Sequence, residues 1–157
     1  MLKLFACNES RYMCGWEEIS GAHTNADEVF LDNFLQTIPE RLVAESLESY
    51  RSMLRSGGRI SIIVPNIRSV SLIMLKGKMS PDELFYQHLL GYKNVAEGKE
   101  KWLGESPNRS IWEPEKLFES CVAAGFIGVS PMDVETFPLL RDRTAAQCGV
   151  TAYVPNA

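Results

Sequence analysis

The apolar residues of the segment 37–66 change from a helical to a strand period. Within 37–54 they recur at the four-three-four spacing of one helical face, which predicts an amphipathic helix with one side buried. These residues are Val43, Leu47, Tyr50 and Leu54. A short run of β-branched residues follows at 60–64 and stops at Pro65. This run is typical of a central strand in a sheet covered by helices.

Capping signals predict where this helix begins and ends. Thr37 and Glu40 have the spacing of a capping box, and Pro39 is tolerated in a first turn because those N–H groups lack intrahelical partners. A glycine after the helix readily takes the left-handed conformation. We therefore expect the helix to end at Gly57 or Gly58.

The remaining pattern alternates strands with helices. Ser80, Pro81 and Glu83 open a helix that Gly91 ends, and a second helix runs from Trp112 to its stop at Gly125. The charged stretch 93–108 is interpreted as a surface excursion. We expect strands near 2–6, 16–20, 28–32, 126–130 and 150–154. The resulting fold class is α/β, with a mostly parallel sheet, helices on both faces and an antiparallel C-terminal hairpin.

Composition narrows the class of protein. With 157 residues, 45% of them hydrophobic, and a net charge of -4, the chain is most simply one domain, 1–157. No apolar run approaches the roughly 20 residues that a membrane span needs, so we expect a cytoplasmic protein without a membrane partner. The acidic balance and the lack of a Lys/Arg run argue against nucleic acid. Four cysteines without a C-x-x-C pair predict reduced thiols and no metal site.

Four segments, in order along the chain, resemble the class I S-adenosylmethionine-dependent methyltransferases. The segment 27–38 is similar to their fourth strand and its "hvLEHi" turn, and 54–66 is similar to their "vLkPGGrl.i.vPd" block. Residues 113–126 resemble their late "L..ll..aGF" helix, and the amino terminus aligns with "LnLGcG…pGwinvD". The resemblance implies a reduced Rossmann-like fold, S-adenosylmethionine as cofactor, and methyl transfer to a small molecule or sugar.

The sequence departs from this pattern where the cofactor would bind. The family's Gly-x-Gly loop is matched here by Phe5, Ala6 and Cys7, and we expect the phenyl ring of Phe5 to fill space that the methionine part of the ligand needs. Ser20 stands where the family has an acidic residue for the ribose hydroxyls. Only 21–26 separate this strand from the next, so an outer strand is expected to be missing.

Polar residues after the predicted strands are the candidate cofactor contacts. Asp32 and Asn33 end a presumed central strand, Asn8 follows the first strand, and Ser20 ends the second. Open α/β sheets bind ligands at this position. The alternative for Asp32 and Asn33 is a turn or cap, and for Asn8 an ordinary loop asparagine.

His88, on an otherwise apolar helix face, is the candidate catalytic residue. A histidine there can act as a general base, and the alternative is a hydrogen-bonded core histidine. Trp102 and Trp112 either form a sugar-stacking surface or anchor the excursion between them. Glu17 and Glu18 are adjacent and would point to opposite faces of a strand, so they do not suggest a dyad.

Two functions follow from this sequence. The first is methyl transfer from S-adenosylmethionine, with Asp32 and Asn33 near the cofactor and His88 near the acceptor. The second is a non-catalytic protein of methyltransferase fold that serves as a binding or dimerisation module, because its cofactor site is eroded. A Phe5 ring that points into the core would favour the first.

Overall fold

The computed structural model describes residues 1–7, 14–102, 104, 106–133 and 146–157. One six-stranded sheet with the order β2-β1-β3-β4-β6-β5 runs through them. The strands are β1 Lys3–Cys7, β2 Glu17–Glu18, β3 Ala26–Asp32, β4 Leu54–Pro65, β5 Ile127–Pro131 and β6 Gln147–Tyr153. The helices are α1 Val43–Met53, α2 Ile67–Leu75, α3 Val95–Lys101 and α4 Pro114–Ala123, with a π-helix at Glu83–Leu89 and 3₁₀ turns at Leu35–Thr37 and Glu40–Leu42.

The predicted fold class is confirmed. Strands β2, β1, β3 and β4 are parallel neighbours, and β6 pairs antiparallel with both β4 and β5. The predicted central strands are therefore adjacent in the sheet. At the edge, β2 is only two residues long, shorter than the strand that we expected over residues 16–20. Its strand neighbour is β1.

One face of the sheet packs against α1 and α4. We call it the helix-covered face, and its strand residues include Leu4, Ala6, Val29, Leu31, Ile60, Ile62, Val64 and Val150. Helix α1 adds Leu47 and Tyr50, and α4 adds Leu117 and Cys121. The predicted buried side of α1 is confirmed. The apolar residues of α4 predict a buried side that includes Phe118 and Val122, but these two are 43% and 49% exposed.

The opposite face mixes charge with aromatic residues. We call it the mixed face, and its residues include Lys3, Phe5, Glu28, Phe30, Arg59 and Ile63, which alternate with those of the helix-covered face. Phe5, Phe30 and Ile63 form a small buried cluster. Trp16 and Met132 are the partly buried side chains that pack against it within the described part of the chain, together with Cys7.

Two predictions about the ends of α1 were wrong. The Thr37 hydroxyl donates to the carbonyl of Phe34 at 2.6 Å inside a 3₁₀ turn, and α1 begins only at Val43, after Leu42 and without a side-chain cap. The helix ends at Met53, because Leu54 is already extended. Gly57, with φ 71°, lies instead in β4, where the pairing with β3 is irregular.

The capping box at Ser80 is confirmed, but the helix that follows is unusual. Glu83 N–H donates to Ser80 Oγ at 3.1 Å, and Ser80 N–H donates to Glu83 Oε2 at 2.8 Å. The π-helix follows. The surface excursion contains α3, capped by Asn94. The sequence also suggests that β5 continues into 132–137 and that 139–146 is a polar connection, but both stretches lie mostly outside the described residues.

Candidate functional site

The carboxyl ends of the parallel strands meet at one edge of the sheet, which we call the carboxyl edge. Cys7 ends β1 and Asp32 ends β3, and the two are paired in register. Asp32 is 3% exposed. Its Oδ2 lies 3.5 Å from the Cys7 thiol, and its Oδ1 accepts from Asn33 Nδ2 at 3.3 Å. Asp32 is therefore a buried carboxyl at the position where α/β sheets bind ligands.

Asn33 turns the chain away from β3. It has φ 48°, the left-handed conformation that asparagine tolerates better than most side chains. Its N–H donates to the carbonyl of Ile63 at 2.9 Å, which ties the turn to β4. Its Oδ1 is buried and has no hydrogen-bond partner. Asn33 is therefore a turn residue, as the alternative interpretation expects. It also carries a buried acceptor without a partner.

The other two predicted cofactor residues lie apart from this pair or outside the described residues. Ser20 is exposed and follows β2, at the level of Cys7 but one strand further out. Its N–H faces His23 Nε2 at 3.4 Å. Asn8 lies outside the described residues, so its position stays a prediction. The structure brings Asp32 and Asn33 together and leaves Ser20 on the open edge.

Gln36 is a buried polar residue that sequence reasoning missed. It is 3% exposed, and its Nε2 donates to the carbonyl of Asn33 at 2.6 Å. Its own carbonyl accepts from the N–H groups of Arg109 and Ser110, at 2.7 and 3.1 Å. Its side-chain Oε1 has no partner. Gln36 therefore fastens the excursion to the turn after β3 and leaves one buried acceptor unpaired.

His88 and Gln36 line the same cavity. The cavity has a volume of about 20 Å³, and its walls also include Val70, Asn108 and Trp112. Room for one water molecule needs about 10–15 Å³. The cavity therefore fits a single water molecule and is far too small for a nucleoside or a sugar, whose sites are about 300–1,000 Å³.

The π-helix carries His88 to this cavity. Short π-helical segments are rare and often occur at functional sites. Burial lowers the pKa of His88 below its ordinary value, and the carboxylate of Glu83 opposes this only weakly. At neutral pH the imidazole is therefore neutral, which is the state required of a general base.

The two tryptophans that flank the excursion differ in environment. Trp112 is 1% exposed, its Nε1 donates to Ser110 Oγ at 2.8 Å, and Lys116 Nζ lies 4.6 Å from its ring centre. These contacts are those of an anchor. Trp102 is 42% exposed and makes edge contacts with Phe85 and Tyr86. Only Trp102 presents a ring to solvent.

The geometry joins three of the predicted residues through one that was not predicted. Gln36 bonds to Asn33, which bonds to Asp32, and it shares a cavity wall with His88. The only sequence signal for Gln36 was its place in the turn after a buried strand. A polar residue in such a turn is usually exposed, so its burial could not be anticipated.

Neither a metal-binding cluster nor a membrane-spanning helix occurs within the described ranges. No group of three or more His, Cys, Asp or Glu side chains there could hold a metal ion. Among the helices of the same ranges, none has the length and apolar character to cross a membrane.

Several solved structures of similar fold are methyltransferases. No protein-family model matches the sequence, and no curated protein matches it significantly. Human N-acetylserotonin methyltransferase, in complex with SAM, is 14% identical and has a TM-score of 0.54 over 93% of this chain and 36% of that one. An O-methyltransferase family protein from Burkholderia thailandensis is 11% identical, with a TM-score of 0.54 over 91% of this chain and 37% of that one. PigF with SAH is 11% identical, with a TM-score of 0.52 over 88% and 35%.

These similarities concern the fold. At 11–14% identity they do not carry activity, and the chain spans little more than a third of the length of the structures that it matches. Three observations come from this chain itself. They are the strand order, the antiparallel strand β6 and the left-handed turn after β3. The chain therefore has the fold of the S-adenosylmethionine-dependent methyltransferases, in a reduced form.

Proposed function

We propose that this protein is an S-adenosylmethionine-dependent methyltransferase that acts on a small molecule or sugar at the carboxyl edge. The observation that carries the proposal is the buried, unpaired acceptor Asn33 Oδ1, which lies at that edge beside the buried carboxyl of Asp32. Unpaired buried acceptors cost roughly 1–3 kcal/mol each, so a protein keeps them where something else supplies the donor. The comparisons support the fold in which such an edge binds ligand.

The residues of this edge fit a ligand that brings donors. S-adenosylmethionine has an ammonium group and ribose hydroxyls, and when bound it supplies an electrophilic methyl group. Asp32 and Asn33 would face the cofactor, and the exposed Ser20 would accept from, or donate to, a ribose hydroxyl. A serine offers no charge-assisted acceptor there, so we expect weaker binding than a carboxylate would give.

His88 would act on the acceptor. Its neutral imidazole would accept the proton of an acceptor hydroxyl, which makes that oxygen the stronger nucleophile for the methyl group that a bound cofactor would supply. The cavity beside it holds only a water-sized group, so the acceptor would approach His88 from its partly exposed side. The protein would otherwise contribute by holding the two reactants in line.

Calorimetric titration with S-adenosylmethionine and S-adenosylhomocysteine tests this proposal. We expect micromolar binding by the wild type and at least tenfold weaker binding by Asn33→Gly. Glycine keeps the left-handed turn and removes only the amide. The matched control is Asn25→Gly, at the other non-glycine residue with positive φ in the described ranges, which should bind like the wild type. Absence of wild-type binding up to millimolar ligand would refute the proposal.

Phe5 leaves a second candidate open, a non-catalytic protein that keeps the scaffold. The ring is 5% exposed and packs against Phe30 and Ile63 on the mixed face, two residue pairs before Cys7 and Asp32. It is thus part of a small core, the placement that we expected to favour methyl transfer. The methyltransferase resemblance puts a glycine at this position, so the same ring remains the proposed obstruction.

A Phe5→Gly variant separates the two candidates. If Phe5 blocks the ligand, the wild type will not bind S-adenosylmethionine and the variant will. Circular dichroism must show that the variant is folded, because it loses a buried ring. If neither protein binds, the scaffold function is favoured, and sedimentation equilibrium then tests the proposed homodimer.

A further inference from the structure

The amide of Gln36 has only one possible orientation. The carbonyl oxygen of Asn33 can only accept a hydrogen bond, and it lies 2.6 Å from the amide nitrogen. Turning the amide over would place two acceptors against each other. The side-chain oxygen Oε1 must therefore face away from Asn33, and it is this buried atom that has no partner.

The wall of the cavity contains few donors for that oxygen. Ser110 Oγ donates to the carbonyl of Leu35 at 3.2 Å, so its single proton is used. Asn108 Nδ2 lies 3.4 Å from the carbonyl of His88, a long contact that occupies one of its two protons. The polar wall groups with a proton to spare are the Asn108 amide and the imidazole of His88.

The size of the cavity selects the ligand. About 20 Å³ accommodates one water molecule and nothing larger. A buried water typically makes two to four hydrogen bonds to groups that lack other partners, and Gln36, His88 and Asn108 offer that number. The remaining walls, among them Val70, Ile111 and Trp112, are apolar and would hold such a molecule in one place.

We propose that this cavity binds one ordered water, which donates to Gln36 Oε1 and accepts from the imidazole N–H of His88. Gln36 is then a positioning residue that orients the water, and the His88 tautomer whose N–H points into the cavity leaves the other ring nitrogen free as a base. The catalytic meaning of this arrangement rests on the proposed methyl transfer, whereas the water site itself does not.

The charges around His88 allow a sharp test. Glu83, on the same π-helix, is the carboxylate that acts on His88, and the residues that line the cavity from α2, the turn after β3 and the segment 108–112 are uncharged. A carboxylate in place of the Gln36 amide would therefore be a new charge facing the imidazole. An opposite charge within about 4–6 Å of a histidine favours the imidazolium.

Nitrogen NMR of the histidine rings, recorded across a pH titration, is the experiment. The chain has two histidines, so His23 serves as an internal control in the same spectrum. We expect Gln36→Glu to raise the titration midpoint of His88 by about 1–3 pH units and to leave that of His23 in place. Gln36→Leu removes the acceptor, and we expect it to turn one dominant His88 tautomer into a mixture.

Unchanged His88 signals in both folded variants would overturn the proposal. If the variants do not fold, the wild type alone decides, because equal populations of the two His88 tautomers overturn it and a single tautomer supports it. The result is independent of cofactor binding. A single tautomer in a protein that fails to bind S-adenosylmethionine would refute methyl transfer and leave the water site standing.

Discussion

The two faces of the sheet are built from alternate residues of the same strands, and they differ sharply. Beside Leu4, Val29 and Ile60, which are all buried under helices, the neighbouring row on the other face is Lys3, Glu28 and Arg59. Lys3 Nζ and Arg59 Nη2 lie 3.4 and 2.6 Å from the two carboxylate oxygens of Glu28. Successive residues of one strand therefore lie in an apolar core on one face and in a partly exposed row of ion pairs on the other.

The mixed face also changes along its length. Two residues further along the strands, Phe5 and Phe30 form a buried cluster with Ile63, and next to it Cys7 contacts Asp32. The face therefore passes from charge through a small core to the carboxyl edge. Parallel strands are usually apolar on both faces, because helices cover both. This sheet departs from that rule on the mixed face, which carries a row of charged residues. Along the strands that row is followed by the apolar cluster and then by the candidate site at the carboxyl edge.

Phe30→Ala tests whether the cluster on the mixed face is a true core. Phe30 has no exposed surface, so we expect a loss of about 3–5 kcal/mol in the free energy of unfolding, as for rings in ordinary cores. Urea denaturation measures it. Phe118→Ala is the matched control, because that ring is 43% exposed and should cost much less. Equal losses would remove the distinction between core and surface rings.

Cys121→Ser probes the helix-covered face with a one-atom change. Burial raises the pKa of the Cys121 thiol to about 12, and the residue packs in the apolar layer of α4. A hydroxyl there would need a partner, so we expect a loss of about 1–3 kcal/mol in thermal or urea unfolding. Cys14→Ser, at an exposed thiol, should be nearly neutral. A neutral Cys121→Ser would mean that this layer admits water.

Glu28→Gln tests the ion-pair row and has the smallest expected effect. Burial raises the pKa of Glu28, but its hydrogen bond to Arg59 and the charges of Arg59 and Lys3 outweigh this, so the pKa lies below its ordinary 4.5. A lowered folded-state pKa stabilises the protein above the ordinary value and ceases to do so as the pH falls. We expect a loss of under about 1 kcal/mol at pH 7, since Arg59 is 43% exposed.

The pH dependence distinguishes this effect from packing. The difference between wild type and Glu28→Gln should shrink as the pH falls from 4.5, measured by urea denaturation at several pH values. Glu48→Gln, at an exposed glutamate of α1, is the control. A difference that persists at low pH would assign the loss to packing rather than to charge.

Local sequence signals predicted the elements better than their ends. The period of α1, the run 60–64 and the capping box at Ser80 and Glu83 were each confirmed, because these patterns act through neighbouring residues. The start and end of α1 were wrong. Thr37 lies in a turn that follows β3. Gly57 lies near the start of β4, and its N–H donates to the carbonyl of Val154. Both outcomes depend on strands distant in sequence.

The candidate site was predicted in part. Asp32 and Asn33 follow from their place after a buried strand, and His88 from a polar residue on an apolar face. The structure adds Gln36, whose burial arises because the segment 109–110 bonds to its main chain from 73 residues away or more. The environment of Phe5 likewise depends on Phe30 and Ile63. No local pattern contains those contacts.

The sequence by itself determined the layer architecture, because hydrophobic period and turn residues specify strands, helices and their order. It also determined which residues could carry chemistry at the carboxyl edge. Only the tertiary structure decided which face of each strand is covered, that Gln36 and His88 share a cavity, and that α1 stops at Met53. These outcomes depend on pairing register and on packing between distant segments, and neither leaves a mark in the local sequence.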